Sequence, residues 1–386
     1  MADGLGPYLR HGFWRKAAEH LAQAYLAAYL AAVIDVQTSI LYLLAQQAVL
    51  LMFRTVGARH LWNGMRRHGL KRAAATGLLC SASAMVLLPF ALDHPGALGA
   101  VAILHALGSA LYYGALHAGL FAAVGAAPRA GRAAVLVSLS TTAGFVGASV
   151  AVFGLTLAGF PSLIPLPAAA ALLVASADLK RLDLDHHAIG PWPGWRAFRR
   201  AVSPECLLAN FNPEHIWMKA AMPLAAASGG ALLAFGVSAG VTLGSVVGVW
   251  IGGMSYDRRR MATSWAALAG VALAVLVYAV GPVSAFGLAA ALYTIAGQPI
   301  GLARDARTAA ETAASDPVLA AAAFEAARAA GGALACAVLA ACYWTVETVP
   351  TWLPAVGLVI FAAGPFRYAI ARRPSEGAAE PLVHKA

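Results

Sequence analysis

The sequence predicts an all-α polytopic membrane protein of twelve transmembrane helices. Two observations of composition and pattern predict it. Apolar residues make up 60% of the 386-residue chain and charged residues 11%, against the ~45–50% and ~25% usual in soluble proteins. Apolar stretches of ~20 residues, each long enough to cross a ~30 Å hydrocarbon core, recur from end to end. A soluble chain of this length would need a far more polar surface. A third observation, the placement of basic residues, tests the count once the spans are drawn.

Hydropathy and breaker residues place the spans in order. The first, 16–36, and the second, 39–62, are separated only by "DVQTS" (Asp35 to Ser39), so their turn must be tight. The third, 73–92, follows the basic stretch around Arg66 to Arg72 and ends before "DHPGA". The fourth, 97–124, runs to the loop holding Arg129 and Arg132; the fifth, 133–157, stops at "AGFPS". The sixth, 162–178, is short and proline-rich, with Pro165 and Pro167 inside it and Pro161 just before. The longest polar stretch, Asp178 to Glu205, comes next and reads as a linker, with an amphipathic surface helix near "GWRAFRR". The seventh span, 207–232, contains the polar "NFNPEHIWMKAAMP"; the eighth, 236–256, ends in "GGMSYDRRR". The last four are 261–280, 283–302, 318–343 and 350–371, divided by "VGPV", the Arg304/Arg307 loop and "VETVP". The N-terminal stretch has no short apolar core before a small-residue cleavage site, so no signal peptide is expected. Cys80, Cys206, Cys336 and Cys342 have neither zinc nor disulfide spacing.

Alternate loops then divide by charge. One set holds Arg10, Arg15 and Lys16; Arg66, Arg67, Lys71 and Arg72; Arg129 and Arg132; Lys180 to Arg200; Arg258 to Arg260; Arg304 and Arg307; and Arg372, Arg373 and Lys385. The other set contains no lysine or arginine. Cytoplasmic loops collect basic residues, so both termini and every basic loop are expected on the cytoplasmic side of the inner membrane. The excess positive charge is therefore a topology signal. Spread over short inter-helix loops, it does not describe a nucleic-acid surface.

The chain also repeats itself. "WNGMRRHGLKRAAATG" (Trp62 to Gly77) holds the place in the first half that "IGGMSYDRRRMATSWA" (Ile251 to Ala266) holds in the second, and "VSLSTTAGFVGAS" echoes "AFEAARAAGGALA" at nearly the same offset. This predicts two parallel six-helix bundles, 1–178 and 207–386, joined by a linker at 179–206. Twelve spans, a central linker and "GGMSYDRRR" between spans eight and nine resemble the major facilitator superfamily. Its signature between spans two and three, often repeated between eight and nine, runs roughly Gly-x-x-x-Asp-Arg-x-Gly-Arg-Arg. Gly253, Asp257 and Arg258 match it. In the first-half copy Trp62 replaces the glycine and Arg66 the acid, while Gly69, Lys71 and Arg72 fit. The resemblance implies that such a cluster latches the halves together on the inner side when the protein opens outward.

Charges inside spans cost at least ~2.5–3.5 kcal/mol each on insertion scales, so each needs a role. Lys219 is placed near mid-membrane, with His215 on the same helical face and Glu214 on the next. Lys219, His215, His105, Arg54 and Tyr112 are candidate substrate contacts, although Arg54 can also snorkel and Lys219 can serve as a structural ion-pair partner. Asp35, Glu214 and His117 are candidates for proton coupling. Glu325 and Arg328, at i and i+3, are expected to pair with each other or with the cluster around Asp257 as a gate. His215, Met218 and Met222 suit soft Cu(I), but a cation at Lys219 would repel it and methionines at helical spacing are usually packing. No phosphate-cradling glycine loop or catalytic cluster is visible, so neither ATP use nor enzymatic activity is expected, and no cofactor. The expectation is a monomeric secondary transporter in the lipid bilayer, moving a small anionic or zwitterionic solute such as an organic acid or metal-chelate with H+ as coupling ion. The alternative is a non-transporting assembly or delivery factor on the same fold.

Overall fold

A computed structural model describes residues 6–124, 130–182, 184, 189–211, 217–312 and 316–370. Among the described residues every regular element is helical. Among the described residues eight helices are long and apolar enough to cross a membrane, and two shorter apolar helices, Gly144–Leu157 and Leu353–Phe366, add to them. The other predicted spans fall on helices interrupted by π-turns. The chain is a multi-pass, all-helical membrane protein.

The first pass corrects the sequence reading. Helix α1 (Gly6–Glu19) begins ten residues before the expected span, continues through a π-turn (His20–Ala24), and resumes as α2 (Leu26–Val33). Arg10, Arg15 and Lys16 therefore lie on a helix and not in a loop. No glycine or proline lies between Phe13 and Leu30, and Ala17, Ala18, Leu21 and Ala22 form the buried face. That face packs on α7 (Ala130–Leu157) and α8 (Pro165–Asp178).

The tight turn after α2 is closed by α3 (Val36–Arg54), whose cap is Asp35: its carboxylate accepts the Thr38 N–H at 2.7 Å and the Thr38 hydroxyl at 2.7 Å. The second pass breaks at Thr55–Gly57 and continues as α4 (Ala58–His68), which buries Ala58, Trp62 and Met65 and exposes Arg59, Arg66 and Arg67. Then come α5 (Leu70–Ala91) and α6 (Pro95–Val124). After the linker helix α9 (Trp195–Ala201), the seventh pass is described as α10 (Pro204–Asn210), a π-turn (Trp217–Ala221) and α11 (Met222–Ala226). The next turn is at Ala227–Gly230, where Gly230 takes φ 104°, a few residues before the expected gap between spans 207–232 and 236–256.

Residues Ala231–Val280 form one unbroken run of helix, α12, although the sequence predicts two spans with a charged loop between them. The packing shows that the run doubles back. Gly240 and Gly248 face Gly287 and Ile295 of α13 (Phe286–Thr312), in parallel register. Gly270 meets Ala296 and Tyr278 meets Phe286 at 4.5 Å, which is antiparallel. Gly248 and Gly270 thus lie at one level, whereas 22 residues of straight helix span ~33 Å. The reversal therefore lies between Gly248 and Gly270, a stretch that includes the expected loop. The passes α14 (Pro317–Val346), α15 (Leu353–Phe361) and α16 (Arg367–Ile370) complete the fold.

Small residues set the close approach of α12 and α13. Ala291 and Thr294 lie against Gly244, so that an added Cβ would sit 2.9 Å from the Thr294 Cβ. Gly154, in contrast, opens onto empty space. Gly244→Ala should therefore destabilise the protein by about 1–3 kcal/mol, read as a lower Tm in detergent. Gly154→Ala should be neutral or stabilising by about 0.5–1 kcal/mol. Equal shifts from the two variants would contradict this packing.

The two halves of the chain meet along two seams, α3 and α6 against α14, and α7 against α12. One apolar cluster crosses both, from Leu30, Trp62 and Met85 to Trp217, Phe235 and Phe324. A second, around Met222, Val271, Tyr278 and Phe361, lies within the second half.

Candidate functional site: a buried ion network between the halves

Glu325 stands on the face of α14 turned to the first half. Its carboxylate pairs with the Arg54 guanidinium, at the end of α3, and accepts from His117 Nδ1, on α6, at 2.5 Å. The Glu325 side chain is 4% exposed and that of Arg54 7%. Arg54 also donates to the Glu325 carbonyl at 3.3 Å and to the Ser109 carbonyl at 3.2 Å. A charge pair this far from water is sustained only by close geometry and by further hydrogen bonds on the remaining donors and acceptors. Three helices supply them, two from the first half and one from the second.

A second cluster lies on α1. Lys16 Nζ is 3.0 Å from Glu19, and Arg15 hydrogen-bonds Tyr112. The Tyr112 hydroxyl is also 3.1 Å from His11 Nε2, while His11 Nδ1 donates to the Ala175 carbonyl at 3.0 Å. With Nδ1 holding a proton, Nε2 of the neutral ring accepts from Tyr112. Tyr112 is brought in by a close crossing: Gly77 of α5 would place an added Cβ 2.6 Å from the Gly108 carbonyl. Tyr113 joins the two clusters, edge-on to Tyr112 at 5.1 Å and stacked on His117 at 6.0 Å. Arg328, with its guanidinium 5.2 Å above the Phe324 ring, acts electrostatically on Lys16, Arg54 and His117. Among the described residues four cations, Arg15, Lys16, Arg54 and Arg328, thus share this region with two carboxylates, Glu19 and Glu325. The arrangement favours an incoming anion.

Two cavities of about 30 Å³ each flank the network, each with room for a water molecule or two. One is lined by Arg54, Trp62, Met65, Gly114, Ala322 and Glu325; the other by Arg15, Glu19, His105, Ser109, Tyr112 and Tyr113. Towards the Asp35 end the halves also touch, Tyr25 to Phe235 at 6.2 Å, while within the second half Trp217 Nε1 donates to the Ala335 carbonyl at 2.9 Å.

The structure brings together Arg54, His117, Glu325 and Arg328 from the sequence candidates. It gives Glu325 the partners Arg54 and His117 in place of the expected Arg328; the side chains of the Asp257 cluster, the other expected partner, lie outside the described residues. Tyr112 sits inside the first half, bonded to Arg15 and His11. His105, 2% exposed, faces the Gln46 amide at 3.0 Å. Asp35, proposed for proton coupling, is an exposed helix cap at the end of the molecule away from Glu325. Its carboxylate is spent on Thr38. Met222 is fully buried in the second apolar cluster, as packing and not as a free ligand. His215 and Glu214 lie outside the described residues, as do the side chains of Met218, Lys219, Gly253, Asp257 and Arg258. The sequence reading missed Arg15, Lys16 and Glu19. The signal was present: i,i+3 and i,i+4 opposite charges in an unbroken helical pattern, Trp14 to Leu21, mark a helix and not a loop.

No known family pattern and no curated protein sequence matches the chain. Solved structures do. The fucose:proton symporter FucP of E. coli superposes with TM-score 0.62 at 15% identity, covering 95% of this chain and 98% of that one. The nucleoside transporter NupG gives TM-score 0.63 at 11% identity, covering 97% and 100%. A bacterial homologue of the iron transporter ferroportin, in an outward-facing state, gives 0.62 at 11%, covering 94% and 98%. FucP in its outward conformation, described as a major facilitator superfamily transporter, gives 0.61 at 15%. At these identities the likeness establishes the fold.

Proposed function

We propose, from the major facilitator superfamily fold that this chain adopts, that it is a secondary active transporter for a small anionic solute, driven by protons. In this reading residues 1–178 and 207–386 are two bundles that rock about the network between them, exposing it in turn to each side of the inner membrane. Both termini and the basic loops face the cytoplasm.

One observation carries the reading: Glu325 of the second half is held by Arg54 and His117 of the first, beside an excess of partly buried cations. The ionised carboxylate ties the halves together. A proton on Glu325 removes its charge and loosens the tie. An anion entering among Lys16, Arg15 and Arg328 meets the charge that Glu19 and Glu325 leave uncompensated. Lys219, with His215 and His105, remains part of the proposed solute path, and the Gly253/Asp257/Arg258 cluster part of the proposed gate. Small mono- and dicarboxylates are the first solutes to test. Radiolabelled carboxylates should enter proteoliposomes holding the purified protein faster under an imposed pH gradient than without one. Flux that ignores the gradient would remove the proton from the mechanism, and stabilisation by neutral sugars or nucleosides alone would remove the anion.

A further inference from the structure

We propose that residues 190–202 of the linker are a lid: they plug the gap between the halves beneath the Glu325–Arg54 pair and must lift before the site opens on that side. The lid deepens the transporter reading and rests on it for its purpose, though not for its geometry.

Phe198 is the plug. It is 5% exposed and sits in a small apolar cluster with Ala58 of the first half and Ala326 of the second. Ala58 follows Arg54 by four residues, across the break at Thr55–Gly57, and Ala326 follows Glu325 directly. The ring thus packs on segments that adjoin both members of the ion pair. Leu319 and Ala322 of α14 and Val202 of the linker pack around it. Helix α9 lies against α14.

The other end of the lid is fastened to the first half. Trp62, 1% exposed, donates its indole N–H to the Gly190 carbonyl at 3.0 Å. Trp192 stands edge-on to Trp62 at 5.4 Å, and lies 5.4 Å from Trp195 and 5.7 Å from Phe198. Pro191 and Pro193 stiffen this approach. Gly194, at φ 89°, turns the chain into α9. The outer face of α9 carries Arg196, Arg199 and Arg200, all exposed, which keeps it at the water side of the lipid.

The lid therefore bridges both halves over the cavity that Arg54, Trp62, Ala322 and Glu325 line. If the halves part on this side, Phe198 cannot keep both Ala58 and Ala326. The closed position also carries a built-in bias towards release. Trp192 Nε1 is shielded from solvent and has no hydrogen-bond partner among the described residues, a penalty that water removes once the lid lifts.

The test is made on the full chain in inside-out vesicles. Cys80, Cys206, Cys336 and Cys342 are replaced by alanine, and Ala322→Cys puts a thiol on the cavity wall. Labelling by a membrane-impermeant maleimide is then timed. Phe198→Ala should raise the rate about ten-fold, and Trp192→Ala, which keeps the plug but removes the ring that holds it against Trp62, should do the same. Phe198→Leu, which keeps the plug, should stay near the parent rate. Unchanged rates in whichever of the two alanine variants remain monodisperse would overturn the lid. The assay reads access and needs no transported solute, so faster labelling in a protein that moves nothing would support the lid and refute only the transporter reading.

Discussion

Arg54→Ala is expected to be among the most damaging single changes in the molecule, lowering folding stability by about 3–5 kcal/mol. The reason is the group left behind. Glu325, 4% exposed, would keep its charge with only His117 for company, and a buried carboxylate without its partner carries its full desolvation penalty. Arg54→Ala combined with Glu325→Gln should recover most of the loss, because the orphaned charge is gone. The measurement is Tm and denaturant midpoint in a mild detergent for the two single variants and the double. If the single change alone proves harmless, the pair is not buried as described. If the double variant is as unstable as Arg54→Ala, the penalty is not electrostatic.

The second large effect concerns binding rather than folding. Lys16→Gln and Arg328→Gln should each weaken the affinity for a transported carboxylate about 10–100-fold, the worth of one charge-assisted hydrogen bond. Neither should lower Tm much, since each removes a cation from a region where cations already outnumber carboxylates. Arg328→Lys should restore part of the affinity, because the charge returns without the planar fork. Direct binding by calorimetry separates these cases. Affinity untouched by both glutamine variants would move the solute site elsewhere, towards Lys219.

Much of the fold is legible in the sequence for a physical reason: a bilayer imposes length and hydropathy on every pass, and neither depends on tertiary contacts. The expected third, fourth, fifth, ninth and eleventh spans lie within three residues of their helices. The first span is placed late because Arg15 and Lys16 are costly in lipid, and an argument from cost starts it at residue 16 and counts both with the basic loop. Their burial is sustained by Tyr112 and by one another, which hydropathy does not register. The partner of Glu325 fails for a related reason. Arg328 is three residues away on the same helix, whereas Arg54 and His117 are 271 and 208 residues away, and only the packing of α3 and α6 on α14 brings them together. The importance of a charged residue at Glu325 was readable, but its partner was not. The linker helix was likewise readable as amphipathic, yet Phe198 as a wedge between halves depends on Ala58 and Ala326, and no local pattern joins those three.

The most direct test of the account is a distance across the water-facing ends of the halves, with and without the Glu325 charge. Spin labels at Arg72→Cys and Met261→Cys, both exposed sites at corresponding positions of the sequence repeat, would be read by pulsed EPR in a background free of native cysteines. A Glu325 carboxylate that ties the halves together predicts a single short distance in the parent, and a second, longer one that gains population in Glu325→Gln and in the parent at acid pH. A distribution that stays the same in all three samples would contradict it.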